Sequence, residues 1–331
     1  MKVAVLGGGG FGTALAVMLA RGGHSAALWC RRPEQAADLS VLRENVTYLP
    51  GVALPPALEP TASMRDALSG ADALLLAMPS QAMRGALEGV RDAGGGPDLS
   101  ICAAKGIEIE TLRRMSEVAA EFGFDTVQLS GPSHAEEIGR GGVAAVVLAH
   151  PDEERRRAAQ ELLGGPGLRA YGSADRVGVE LGGALKNVLA LASGVSEGLA
   201  LGDNLRAALL TRGLAEITRL GVALGAEPAT FSGLAGLGDL LATVMSPLSR
   251  NRRAGIALGR GTPLAEVLAG TPMVIEGVPA TRAALGLAAR AGVELPIATA
   301  LGHLMFDGAE PAVEVSALLA RGFKEEERWR D

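Results

Sequence analysis

The first half of the chain alternates between two patterns. Short, almost uninterrupted apolar runs stand at 2–7 (KVAVLG), 25–30 (SAALWC), 72–78 (DALLLAM), 98–104 (DLSICAA), 125–130 (DTVQLS), 142–149 (GVAAVVLA) and 168–173 (LRAYGS). Between several of them apolar residues recur at helical spacing, over 11–22, 80–92, 108–122 and 152–164. Strands apolar on both faces are buried on both faces, so the alternation predicts a mostly parallel, doubly wound sheet covered by helices. From about residue 174 the strand signals stop. Helical patterns follow one another at 175–200, 203–225, 228–244, 251–260, 263–269, 278–292, 297–306 and 311–321. The expected organisation is an α/β domain over 1–174 and an all-helical domain over 175–331, with a ligand expected in a cleft between them.

Length and composition fit two domains. The 331 residues exceed one typical domain, and 48% of them are apolar, ample for a large core. A net charge of −6 leaves no electrostatic footprint for nucleic acid or an anionic membrane. Cys30 and Cys102 sit in apolar runs without CxxC or Cys/His spacing, and the four histidines show no metal pattern. These features predict reduced core thiols, a cytoplasmic location and no metal. Residues 3–20 are uncharged and superficially resemble a secretory signal, but four consecutive glycines interrupt the apolar stretch. No other stretch approaches the ~18–20 apolar residues of a membrane span. The charged end FKEEERWRD is expected to be a frayed or solvated tail.

Chemistry enters at LGGGGFG, which places Gly7, Gly9 and Gly12 in a GxGxxG spacing after a strand and at the start of a helix. Gly7 serves the tight turn, Gly9 admits a pyrophosphate to the backbone, and Gly12 lets the helix pack on the strand. The helix N-terminus offers N–H groups and a positive dipole end to phosphates. The expected fold is therefore Rossmann-type and binds a dinucleotide. The second strand ends in WCRRP, so Arg31 and Arg32 stand where an NAD-preferring site carries an acid. A guanidinium pairs with a 2′-phosphate, which predicts NADPH as the preferred cofactor, with NADH possible. The alternative is a pair of solvated loop arginines.

The cations are unevenly spent: 27 are Arg and only 4 are Lys, at 2, 105, 186 and 324. Arg cannot give up its proton in a protein, whereas Lys can. Lys105 and Lys186 are thus the first candidates for proton chemistry. Lys105 lies past the end of a strand, at the edge where open sheets bind ligands. Lys186 lies on a small, apolar helix face within ELGGALKNVLALASGV. It either snorkels to water or is held in a dry cleft. Gly182 and Gly183 each cost the helix about 1 kcal/mol relative to Ala. That cost predicts a close approach to the backbone there, by substrate or by the neighbouring domain.

The run GALKNVLALASGVSEGLALGDN, from Gly183 to Asn204, resembles the signature of the NAD(P)-dependent glycerol-3-phosphate dehydrogenases. AAKGIE, SGPSHAEE, GLAGLGDLLAT, SRNRRAG and VIEG resemble the family's other blocks, in the same order along nearly the whole chain. The resemblance implies Lys186 as proton acceptor for glycerol 3-phosphate and donor to dihydroxyacetone phosphate. It implies Lys105 as a second lysine at the substrate, and Asp239 and Thr243 near its hydroxyl groups. Gly131, Ser133, Asn187, Ser249, Arg250 and Asn251 resemble substrate-binding positions, with Arg250 suited to a phosphate and Ser249 and Asn251 to helix capping. Gly7, Gly9, Gly10, Phe11, Gly12, Arg31, Arg32, Lys105, Ala135, Arg250, Val274 and Glu276 resemble cofactor contacts. Gly10 and His134 depart from common residues of the family. A homodimer is a family-level expectation. Two rival readings are another β-hydroxyacid-type dehydrogenase and a non-catalytic NADP-sensing module.

Overall fold

The computed structural model describes residues 1–322; the charged end expected to be a tail, 323–331, lies outside the described residues. The chain divides into two compact units. One contains Met1–Lys105 and Arg113–Arg176; the other contains Gly106–Leu112 and the chain from Val177 onward.

The first unit is built on ten strands: β1 Lys2–Leu6, β2 Ser25–Trp29, β3 Glu44–Asn45, β4 Leu49–Ala53, β5 Leu58–Thr61, β6 Ala73–Leu76, β7 Leu99–Cys102, β8 Val127–Ser130, β9 Ala144–Ala149 and β10 Leu168–Ser173. Eight form one sheet in the order β10-β9-β8-β7-β6-β1-β2-β5, while β3 and β4 make a separate antiparallel ribbon. Every pairing in the large sheet is parallel except β8 with β9. Val3, Val5, Ala4 and Leu6 of β1 are all fully buried, and they divide between apolar clusters on the sheet's two faces. This is why the strand sequences carry no polar alternation.

From β1 the chain runs outward to β2 and β5, then returns to β6 on the other side of β1. The reversal opens a crevice at the carboxyl ends of β1 and β6, where such sheets bind ligands. The glycine loop leaves β1 at that point and leads into helix Gly10–Arg21.

The second unit is helical: Arg176–Gly198, Gly202–Ala223, Pro228–Phe231, Asp239–Met245, Arg250–Gly259, Leu264–Ala269, Gly277–Ala291, Pro296–Gly302 and Pro311–Leu319, with wide π turns at Leu234–Gly238 and His303–Asp307. Helix Arg176–Gly198 is its axis, buried continuously from Gly178 to Ser196. Gly194 and Gly198 face Gly255 and Gly259, so close that a Cβ on Gly194 would lie 2.9 Å from the Gly255 Cα. Small residues one turn apart on both helices permit that backbone-to-backbone packing. Among the described residues no single helix is long and apolar enough to cross a membrane.

At three places the structure differs from what the sequence pattern announces. The helix expected over 108–122 exists only as Met115–Ala120. Leu112 adopts a left-handed conformation (φ 59°), and Ile107 is buried in the helical unit's core, so that segment serves the second unit instead. Leu112 fits against Gly286, and Thr111 O accepts from Arg290 Nη1 at 3.1 Å. Second, the run expected as one helix over 228–244 is broken by the π turn Leu234–Gly238. Third, residues 33–68 carry a helix (Pro33–Leu42), the ribbon, β5 and a short helix (Met64–Leu68), none of which the apolar pattern announced.

Candidate active site

In the first unit, the glycines of the loop have distinct jobs. Gly7 (φ 129°) is conformationally obliged to be glycine, and a Cβ there would lie 2.6 Å from Ala77 O, just past β6. A Cβ on Gly12 would run into Gly7 O, so Gly12 lets the helix sit on the strand. A Cβ on Gly9 would meet nothing within 4 Å. Gly9 therefore fronts open space above the helix N-terminus, as a pyrophosphate requires. Gly9 caps that helix without a side-chain hydrogen bond, and no acid stands in the first turn to compete with a phosphate. Gly10 is different: its Cβ would lie 2.5 Å from Tyr48 O, so the residue is fixed by the chain between β3 and β4.

The loop is held from behind. Asn45 Nδ2 donates to Gly8 O at 3.0 Å and to Thr13 Oγ1 at 2.7 Å, and Gln35 Nε2 donates to the same carbonyl. Neither Asn45 nor Gln35 carried a sequence signal; both lie in the stretch whose elements were not legible. Cys30 packs beneath Gly8, and burial pushes its thiol up to about 11, which makes it inert at neutral pH. Arg31 and Arg32 are exposed just past β2, and Arg32 Nη2 donates to the Tyr48 hydroxyl at 3.3 Å.

Lys105 follows the end of β7. Its Nζ donates to Gly131 O at 2.9 Å and to Ser133 Oγ at 3.5 Å, and it lies 5.9 Å from the centre of the Phe11 ring. Ser133 Oγ also donates to Gly131 O, at 2.8 Å. Gly131 (φ 126°) turns the chain sharply after β8, and a Cβ there would lie 3.1 Å from Val146 Cα. Ala135 approaches the glycine loop: a Cβ on Gly10 would lie 3.7 Å from the Ala135 Cβ. Lys105, Gly131, Ser133, Phe11 and Ala135, from the three segments that follow β1, β7 and β8, thus gather around the carboxyl end of the sheet.

In the second unit, Lys186 does not snorkel. Its side chain is buried, 7% exposed as a residue, and its Nζ donates to Asp239 Oδ1 at 2.7 Å and to Thr243 Oγ1 at 2.6 Å. Thr243 Oγ1 donates in turn to Asp239 O at 2.7 Å. The hydroxyl proton is thereby committed to the backbone, and its lone pair faces the lysine. A buried ammonium is tolerated only when paired and hydrogen-bonded, and these two residues meet that condition. Asp239 and Thr243 stand one turn apart on helix Asp239–Met245, so one helix face delivers both. The space beside Gly182 is not left for a substrate or another domain: a Cβ there would lie 3.0 Å from Ala235 O of the same unit.

The remaining positions cluster at two helix starts. Ser249 caps helix Arg250–Gly259, its Oγ accepting from Arg252 N at 3.2 Å, whereas Asn251 lies inside that helix's first turn and turns its side chain to the start of another. Asn251 Nδ2 donates to Asn187 Oδ1 at 2.8 Å, and its Oδ1 accepts from Gly277 N at 2.9 Å. This one amide ties the lysine-bearing helix to the starts of two others. Arg250 is exposed, and its Nη1 donates to Val274 O at 2.9 Å. Glu276 precedes Gly277 as the N-cap residue of helix Gly277–Ala291. Arg252, which was not singled out, forms a double hydrogen bond with Glu197 at 2.8 and 2.6 Å, anchoring the helix behind Arg250. Among the described residues no group of His, Cys, Asp and Glu could hold a metal ion.

Comparison with known proteins places these features in context. Residues 2–156 match the family model "NAD-dependent glycerol-3-phosphate dehydrogenase N-terminus", and residues 175–316 match the corresponding C-terminus model. The chain is 49% identical to glycerol-3-phosphate dehydrogenase [NAD(P)+] of Moorella thermoacetica, covering 97% of this chain and 96% of that protein. It is 50% identical to the protein of the same name from Thermus thermophilus, covering 98% of this chain and all of that one. Among solved structures, glycerol-3-phosphate dehydrogenase from Coxiella burnetii superposes with a TM-score of 0.93 at 35% identity, covering 97% of this chain and 99% of the other. The chain belongs to the NAD(P)-dependent glycerol-3-phosphate dehydrogenase family.

Proposed function

We propose that the chain catalyses the reversible, NAD(P)H-dependent reduction of dihydroxyacetone phosphate to sn-glycerol 3-phosphate, for glycerophospholipid synthesis in the cytoplasm. The observation that carries this reading is Lys186, a buried ammonium held by Asp239 and Thr243 in a family of this activity. When bound, the nicotinamide supplies the hydride. The substrate carbonyl carbon gains that hydride, the oxygen gains negative charge, and Lys186 stabilises the oxygen and gives it a proton. In the reverse direction Lys186 takes the proton back. Asp239 holds the ammonium and Thr243 fixes its direction.

Lys105, Gly131 and Ser133 are proposed for the substrate, as are Asn187, Ser249, Arg250 and Asn251. For the cofactor, Gly7, Gly9, Gly10, Phe11 and Gly12 suit the pyrophosphate end, because Gly9 fronts open space at a helix N-terminus. Ala135, Lys105, Arg250, Val274 and Glu276 are proposed as further cofactor contacts. Arg31 and Arg32 favour a 2′-phosphate and hence NADPH over NADH. A homodimer is proposed by analogy with the family. The adjacency of Lys186 and Asn187 argues against another β-hydroxyacid-type dehydrogenase, where the Lys and Asn stand several residues apart on one face. A purely sensing module would not need both lysines, Asp239 and the Arg250 cluster together. The test is oxidation of NADPH by dihydroxyacetone phosphate against a panel of 2- and 3-oxo acids. Turnover with the phosphate alone supports the reading, and turnover with an oxo acid alone rejects it.

A further inference from the structure

We propose that Gly182 is a positioning residue for Lys186: its missing side chain lets the turn Leu234–Gly238 carry Asp239 to the ammonium. The inference rests on Lys186 and Asp239 forming the catalytic pair proposed above. Gly182 stands one helical turn before Lys186, on the same face. A Cβ at 182 would lie 3.0 Å from Ala235 O, 3.4 Å from Ala235 C and 3.5 Å from Gly236 Cα. Those atoms are backbone, so no flexible side chain can yield. The turn is also tightly wound, because a Cβ on Gly236 would run into the backbone of Phe231, five residues earlier. The turn is π-helical and passes without a break into helix Asp239–Met245, so its position sets the position of Asp239 and Thr243. Both contacts to Lys186 are short, 2.7 and 2.6 Å, and a shift of a few tenths of an ångström lengthens them. Gly182 thus acts through Asp239 rather than on the reacting atoms.

A double-mutant cycle separates positioning from a general loss of structure. The four proteins are wild type, Gly182→Ala, Asp239→Asn and the double variant. Each is assayed for reduction of dihydroxyacetone phosphate, with kcat expressed per NADPH-binding site so that unfolded protein does not enter. Gly182→Ala is expected to lower kcat about tenfold with an unchanged Kd for NADPH, and to add less than about twofold in the Asp239→Asn background. Equal losses in both backgrounds, or a wild-type kcat in Gly182→Ala, would overturn the inference. Wild-type kcat in Asp239→Asn contradicts the catalytic reading itself, and the inference falls with it.

Discussion

Lys186 Nζ and Asp239 Oδ1 are 2.7 Å apart, and both residues are buried, at 7% and 3% exposure. The pair spans 53 residues of sequence, so it is made by folding and not by local structure. Removing one partner of a buried pair strands the other charge. Asp239→Ala is therefore expected to lower the unfolding free energy by about 3 kcal/mol in urea denaturation. Asp239→Asn, which keeps an oxygen at the same place, is expected to cost less. Equal stability of the alanine variant and wild type would show that the pair is not buried in solution.

Gly9 and Gly10 are neighbours with opposite reasons for being glycine. Gly9→Ala is expected to melt close to wild type and to lose most of its affinity for NADPH, because its methyl enters open space in front of the helix N-terminus. Gly10→Ala is expected to cost about 1–3 kcal/mol in stability, because its methyl meets Tyr48 O. Calorimetric melting and NADPH fluorescence titration of the two variants check the contrast.

Glu216 gives the helical unit a pH dependence. It is buried, both carboxylate oxygens accept from Ile297 N at 3.1 Å, and desolvation outweighs that bond and pushes its carboxyl up to about 7. The folded state therefore holds a proton that the unfolded chain releases near 4.5. Stability from this group is fully present below that value and is lost as pH rises through about 7. The loss is at most about 3 kcal/mol. Glu216→Gln keeps an acceptor for Ile297 and is expected to flatten the decline between pH 5 and 8, measured by urea midpoints. An unchanged slope would assign the pH dependence elsewhere.

Arg31 and Arg32 are expected to set cofactor choice. Arg31→Ala should lower kcat/KM with NADPH about tenfold or more and leave the value with NADH within about twofold, since the lost partner is a 2′-phosphate. A parallel drop with both cofactors would place Arg31 outside the 2′-phosphate site.

Much of this was readable in the sequence, for definite physical reasons. Buried strands write near-continuous apolar runs, so β1, β2 and β6 to β9 were visible with their order of appearance; the edge strand β10 was expected too, although only Leu168 of it is buried. The glycine loop was visible because Gly7 and Gly12 are forced by backbone geometry, while Gly9 keeps open the space in front of the helix N-terminus. Lys186 was visible because a chain that writes 27 of its 31 cations as Arg sets a lysine in an apolar helix. The stretch 33–68 was not: β4 and β5 are short and contain Pro50 and Pro60, and their residues are only partly buried. The π turn at Leu234–Gly238 was hidden because its residues keep a helical pattern. The meaning of Gly182 was hidden for a similar reason. A glycine in a helix shows that something approaches, but only the fold shows that Ala235 does, 53 residues away in sequence.

Lys186 is proposed to move the proton. The most direct test is reduction of dihydroxyacetone phosphate by Lys186→Ala under saturating NADPH, beside an NADPH titration of the same protein. The expected result is unchanged NADPH affinity with turnover lower by about a thousandfold or more. Turnover within a fewfold of wild type would remove Lys186 from the chemistry and contradict the account.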